Sequence, residues 1–268
     1  MTTLAPHPTG ATVVRRQPPA PIPLRRLLDT ELRKMFDTRA GFWLLASIGI
    51  TAGLASVATA LFAPDSVQQY ESYATAVGFP VAVILPIIAA LSVTGEWSQR
   101  TGLTTFTLVP SRSRVIRAKL LCIIGVGMAS MVVAMVIGAV GTFVGAAVNG
   151  VDPGWNIEAK QVVLLILSNI LGMLIGFMLG VLFRNSAAAI VGYFVYSFML
   201  PTVFMLLYNF QDWFRDVHPW IDFQSATAVL YDSVPTGEEW AHIAVTGMLW
   251  LVIPTFIGLR MVMRSEVK

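Results

Sequence analysis

His7, His218 and His242 lie too far apart in the sequence to form a metal or acid–base motif, and neither H-E-x-x-H nor C-x-x-C spacing occurs. His7, in the N-terminal segment, and His242, at the head of the last apolar run, read as solvated groups. The single cysteine, Cys122, permits no intramolecular disulfide and reads as a small packing residue. A phosphate-cradling loop needs a Gly-Lys pair, and that dipeptide is absent. These patterns predict no catalytic, cofactor-binding or metal site. What the chain does concentrate is positive charge. Residues 95–119, GEWSQRTGLTTFTLVPSRSRVIRAK, hold Arg100, Arg112, Arg114, Arg117 and Lys119 against one acid, Glu96. The plain reading of these charges is topogenic anchoring. Anchoring, however, does not need so long a segment, since a later connection manages with little more than Arg184, Asn185 and Ser186. Residues 103–108 are apolar enough to pack against something, and Pro110 stops any helix they form, so the stretch reads as a docking element.

The elements around it are apolar. Hydrophobic residues make up 56% of the chain, charged residues 12%, and the mean hydropathy is +0.71, far outside soluble globular composition. Spanning a hydrocarbon core of ~30 Å takes roughly 20 helical residues. Six runs without Asp, Glu, Lys or Arg meet that length, at about 41–63, 75–95, 120–148, 161–183, 187–208 and 241–259. One such charge at a helix centre costs about 2.5–3.5 kcal/mol on the insertion scale, so six clean runs are a strong signal. No period-2 alternation supports a β-barrel. The first run starts too late and is too long for a signal peptide, so no cleavage is expected. The predicted fold class is an all-α integral membrane protein with six transmembrane helices.

Sixteen of the eighteen Lys and Arg fall on the side that carries both termini, and Lys160 and Arg215 alone face the other, which holds ten of the fifteen acids. The positive-inside rule makes the termini cytoplasmic and the location a cell membrane. The net charge of +3 thus reports topology and gives no reason to expect nucleic acid. Residues 21–40 place Leu24, Leu27, Leu28, Leu32, Met35 and Phe36 at helical spacing, with Arg25, Arg26, Asp29, Arg33, Lys34 and Asp37 opposite. This predicts an amphipathic interfacial helix, either a simple membrane-surface anchor or one that also touches a cytoplasmic partner. Residues 1–20, rich in Pro, Thr and Arg, read as a disordered cytoplasmic tail, and 41–268 as the transmembrane domain.

Within the spans, Gly49 and Gly53, Gly141 and Gly145, and Gly172, Gly176 and Gly180 recur at four-residue spacing, which lets helix backbones approach closely. The last set suits packing inside one subunit, a homodimer seam or a mobile gate. Tyr193, Tyr196, Ser197 and Tyr208 flank Pro201, a predicted kink, and suit either a substrate route or interfacial anchoring. Residues 209–240 alternate acids with Trp213, Phe214, Trp220, Phe223 and Trp240, the composition of short helices dipping into the outer interface.

Glu31, Leu32, Arg33 and Lys34, followed by Glu96, Thr101 with Gly102, the apolar patch of Leu103, Phe106 and Leu108, Pro110, Arg112 or Arg114, and Lys119, together resemble the permeases of type-2, exporter-like ABC transporters. The resemblance covers residues 21–268, with the Gly-Thr order of the family reversed. It implies that residues 96–119 contain a coupling helix seated on a separate ATPase subunit, which binds the ATP and magnesium. It further implies a permease homodimer, or a heterodimer with a similar chain, and an outer segment around 210–230 that is re-entrant. The function expected is export of a drug, lipid, glycan or peptide. A non-transporting immunity or sensor subunit on the same scaffold is the alternative, and a lipid-modifying membrane enzyme a more distant one.

Overall fold

The computed structural model describes residues 22–65, 68–98 and 112–264. The segments 1–20 and 101–110, and with them the expected tail and the apolar patch, lie outside the described residues. All regular elements among the described residues are helical. Six helices are long and apolar enough to cross a membrane, so the chain is a multi-pass membrane protein.

Helix α1 (Leu24–Asp37) precedes the first span and presents a narrow face, buried at Leu27 and Glu31. Leu27 packs with Val115 and Ala118. The chain then turns at Thr38 into α2 (Arg39–Phe62), whose start is capped by Thr38 Oγ1 accepting from Gly41 N at 3.1 Å. Only glycine fits at 41, because a Cβ there would come within 2.0 Å of the Met35 carbonyl oxygen.

The remaining spans are α3 (Tyr70–Ser98), α4 (Arg112–Asn149), α5 (Ala159–Phe183), α6 (Ser186–Phe210) and the last helix, α9, whose spanning part is Gly237–Met263. Two short helices, α7 (Asp212–Ile221) and α8 (Phe223–Asp232), lie between α6 and α9. Several spans outrun their apolar runs. Helix α3 begins at Tyr70 and α4 at Arg112, ahead of the expected 75 and 120. Charged residues end a hydrocarbon-compatible run, but they do not end a helix, and no breaker stands at either place.

Helix α3 is the centre of the bundle and packs against α2, α4 and α5. Val77, Val81, Leu85 and Val93 of α3 meet Ile48, Ile123, Met173 and Phe177 in one apolar core. Close approach between α3 and α5 depends on glycine. A Cβ at Gly176 would lie 2.0 Å from the Pro86 carbonyl oxygen, and one at Gly180 would lie 2.8 Å from that of Ala90. Helix α6 is peripheral: 6% of its most apolar window is buried, against 44% for α3 and α5.

Spans α6 and α9 each contain a π turn, Val195–Met199 and Met248–Val252, which ends two residues before Pro201 and Pro254 respectively. Proline offers no N–H to the carbonyl four residues back and its ring crowds that oxygen, so the turn widens. The kink expected at Pro201 therefore takes the form of a π turn.

The α7–α8 hairpin packs against α5 and α9. Its C-terminal end lies at the mouth of α5, where Gln161 Nε2 donates to Tyr231 O at 3.1 Å. Its tip lies deep, since Trp250 Nε1 donates to Ile221 O at 2.6 Å. Trp250 is thirteen residues into α9, about 20 Å from its start at 1.5 Å per residue. At that tip the buried Asp222 caps α8, its Oδ1 accepting from Gln224 N and Ser225 N, while its Oδ2 lies 3.1 Å from His218 Nε2.

Candidate functional site

On the side carrying the start of α2 and the end of α9, here the basic side, four sequence-expected residues converge. Glu31 and Lys34 are one turn apart on α1, Glu96 is in the last turn of α3, and Lys119 is in the second turn of α4. The local cause is the register of α1 on α4. Leu27 seats on Val115 and Ala118, and one turn further Glu31 comes level with Lys119.

Lys119 Nζ binds Glu31 Oε2, lies 3.2 Å from Glu96 Oε1 and donates to Ser92 O at 3.2 Å. These contacts use all three of its protons. Lys34 Nζ donates to Glu31 Oε1 at 2.7 Å and to Glu96 Oε1 at 3.2 Å. The side chains of Glu31, Glu96 and Lys119 are 8%, 5% and 6% exposed, and that of Lys34 is 40% exposed. Two cations balance two anions, the condition under which buried charge is tolerated. Burial pulls the Lys34 ammonium down, but its hydrogen bond and attraction to Glu31, joined by Glu96, outweigh that and hold its pKa above the ordinary 10.5.

Further contacts bind the same elements. Arg114 Nη2 donates to Ile22 O at 2.6 Å, and Cys122 Sγ donates weakly to Leu28 O at 3.5 Å. Ser186 Oγ, at the head of α6, lies 2.8 Å from Thr94 Oγ1 and 2.7 Å from Ser98 Oγ. A cavity of 220 Å³ borders the ion cluster, walled by Met35, Leu44, Leu45, Ile88 and Leu91. The arrangement is unsuited to acid–base chemistry, because each carboxylate is engaged by ammonium groups. It is suited to mechanical linkage: α1 is clamped to the two helix ends that flank residues 99–111.

This corrects one expectation. Lys119 is not a surface anchor of the basic stretch but a buried member of the cluster, because Glu31 reaches it from α1. The signal was present in the sequence, since Glu31 stands one turn after Leu27 on the buried face of α1.

The other expected residues distribute as follows. Leu32 is half-buried and Arg33 exposed, and Arg112 opens α4. Thr101, Gly102, Leu103, Phe106, Leu108 and Pro110 lie outside the described residues. Gly176 and Gly180 face α3, while a Cβ at Gly172 would meet only Pro86 Cγ at 4.0 Å. Gly141 and Gly145 pack against Tyr73, and Gly49 and Gly53 meet nothing within 4 Å. Tyr193 is buried and does not stand in an interfacial belt. Its hydroxyl donates to Ala82 O at 3.1 Å, the carbonyl that Pro86 leaves without its helical partner. Tyr196 packs on Trp250, with ring centroids 5.8 Å apart, joining the two π turns. No group of three or more His, Cys, Asp or Glu that could hold a metal ion is present among the described residues.

A family model described as ABC-2 family transporter protein matches residues 27–211, from the buried face of α1 through the end of α6. No curated protein matches the chain.

Proposed function

The chain belongs to the ABC-2 family of transporter proteins, and on that premise we propose that it is the permease subunit of an exporter driven by a separate ATPase polypeptide. The coupling element in this reading is the connection 99–111, seated on the ATPase, with residues 103–108 as its apolar contact. The observation that carries it is the Glu31–Lys34–Glu96–Lys119 cluster. It ties both ends of that connection to α1, so force delivered to the connection reaches α1, α3 and α4 together.

The charge asymmetry supports placing this side in the cytoplasm of a cell-membrane protein. The sparsely buried α6 supports a second permease copy, or a similar chain, beside it. The membrane lipid supplies the rest of the environment, and no cofactor is assigned to this subunit, ATP and magnesium belonging to the partner.

Affinity purification of the full chain from its native membrane tests the reading. An ABC ATPase subunit should accompany it in stoichiometric amount, with ATP hydrolysis in the purified complex. Isolation without any ATPase from gently solubilised membrane would sink the proposal and favour a non-transporting role on the same scaffold.

A further inference from the structure

The acidic side of the bundle holds a second cavity, of 320 Å³, among α3, α4, α5 and the end of α8. Val77, Val81, Met131 and Ala134 give it apolar walls. Its outer rim carries two carboxylates, Glu71 and Asp232, both exposed, and no Lys or Arg lines it. The nearest cation in sequence, Lys160, is paired with Glu158 at 2.8 Å.

Toward its inner end stands Asn169, 8% exposed. Asn169 Nδ2 donates to Leu165 O at 2.9 Å within its own helix, which fixes the orientation of the amide. Its Oδ1 has no hydrogen-bond partner. A buried acceptor left unpaired carries a desolvation penalty that a donor would remove. Asn169 is ten residues into α5, about 15 Å along the helix, near the middle of a ~30 Å hydrocarbon core. An unpaired polar group at that depth, in the wall of an apolar cavity with an anionic mouth, is a binding arrangement with two distinct ends.

We propose that this cavity binds a cationic amphiphile: a positive head at Glu71 and Asp232, an apolar body between α3, α4 and α5, and a hydrogen-bond donor reaching Asn169 Oδ1. Such a molecule would be about 15 Å from head to donor, matching the run from rim to Asn169. The inference deepens the permease reading by giving its substrate class, yet the binding itself requires neither ATP nor a partner.

The test uses the full chain in phosphatidylcholine nanodiscs and equilibrium dialysis of three radiolabelled probes, with empty discs subtracted. The probes are 12-amino-1-dodecanol, dodecylamine, which lacks the hydroxyl, and 12-hydroxydodecanoic acid, which reverses the charge. The amino alcohol should bind saturably, about threefold to tenfold tighter than dodecylamine and at least about tenfold tighter than the acid. In Asn169→Leu the amino alcohol and dodecylamine should become equal while the preference over the acid persists. In Glu71→Gln with Asp232→Asn, both on the exposed rim, where the glutamine keeps an amide oxygen for the Asn156 Nδ2 that Glu71 Oε2 accepts from at 2.8 Å, the preference over the acid should collapse while the hydroxyl preference persists. Equal binding of amine and acid to the unmodified chain, or preferences that survive both variants, would overturn the site. Neither result would bear on whether an ATPase accompanies the chain, so the two readings fail separately.

Discussion

Removing Lys119 leaves two buried carboxylates, Glu31 and Glu96, sharing one half-exposed ammonium. Breaking a buried ion pair from one side typically costs about 3–5 kcal/mol, because the uncompensated charge stays in a low dielectric. Lys119→Met should therefore lower the unfolding temperature in detergent markedly. Lys34→Met, at the exposed edge, should cost on the order of 1 kcal/mol or less after solvent screening. Adding Glu31→Gln to Lys119→Met restores one-to-one pairing of Glu96 with Lys34 and should recover part of the loss. Equal effects of the two lysine variants would show that the cluster is not a buried unit. The pH dependence carries a definite sign. The pKa of Lys34 is raised in the folded state, so its contribution is complete below its ordinary 10.5 and fades only as pH climbs through the higher folded value. An unfolding temperature that dropped through the neutral range would need another titrating group. Each of the four residues stood out in the sequence, but their meeting did not, because residues from 31 to 119 are brought together only by the register of α1 on α4.

At the scale of the helix, the crossing of α3 and α5 rests on Pro86 and Gly176. The Cβ of an alanine at 176 would strike the backbone of Pro86, which cannot swing aside as a side chain would. Gly176→Ala should cost about 1–3 kcal/mol, the range for overpacking, or displace α5. Gly172→Ala should be neutral or stabilising, since the space is open and alanine is the better helix former by about 1 kcal/mol. Thermal unfolding of the pair separates them, and similar losses at both sites would refute the contact. The same proline frees the Ala82 carbonyl that Tyr193 satisfies, so Tyr193→Phe should cost about 1 kcal/mol. In a Pro86→Ala background the restored N–H takes over the carbonyl, and the tyrosine variant should then cost little. The spans were legible because hydropathy acts over twenty residues at once. Their ends were not, because helix α4 continues through Arg114, Arg117 and Lys119 into the polar region, where apolar counting stops. The π turns of α6 and α9 escaped notice for a related reason: Pro201 and Pro254 announce a disturbance but not its geometry.

Over the whole molecule, the basic side gathers α1, the end of α3, the start of α4 and the head of α6, linked by the ion cluster and by the Thr94, Ser98 and Ser186 hydroxyls. The acidic side carries the α7–α8 hairpin and the second cavity. The division was legible from sixteen basic residues set against two, because charge reports sidedness directly. The packing of the hairpin was not, since it is fixed by contacts far apart in the sequence: Trp250 to Ile221, Gln161 to Tyr231, and Phe223, Ala226 and Leu230 against Ile175 and Leu179. The proposed coupling separates docking from transmission, and three variants distinguish them. If residues 103–108 are the apolar contact with the ATPase, as proposed, Leu108→Asp puts an unpaired charge into that contact at a cost of several kcal/mol, so the ATPase should fail to co-purify while membrane insertion is unchanged. Under the same reading Arg112→Gln, just beyond the connection, should cost only ~0–1 kcal/mol and keep the partner. Lys119→Met leaves the patch intact but loosens the clamp behind it. At a temperature where the variant remains folded, the ATPase should still co-purify and hydrolyse ATP, with transport reduced relative to hydrolysis. The measurements are partner recovery, hydrolysis rate and transported cargo per ATP for each variant in proteoliposomes. Were Leu108→Asp to keep its partner at the unmodified level, the connection would be a plain topogenic anchor. Were Lys119→Met to transport as much per ATP as the unmodified chain, the cluster would be a folding element with no part in carrying force from the connection to the spans.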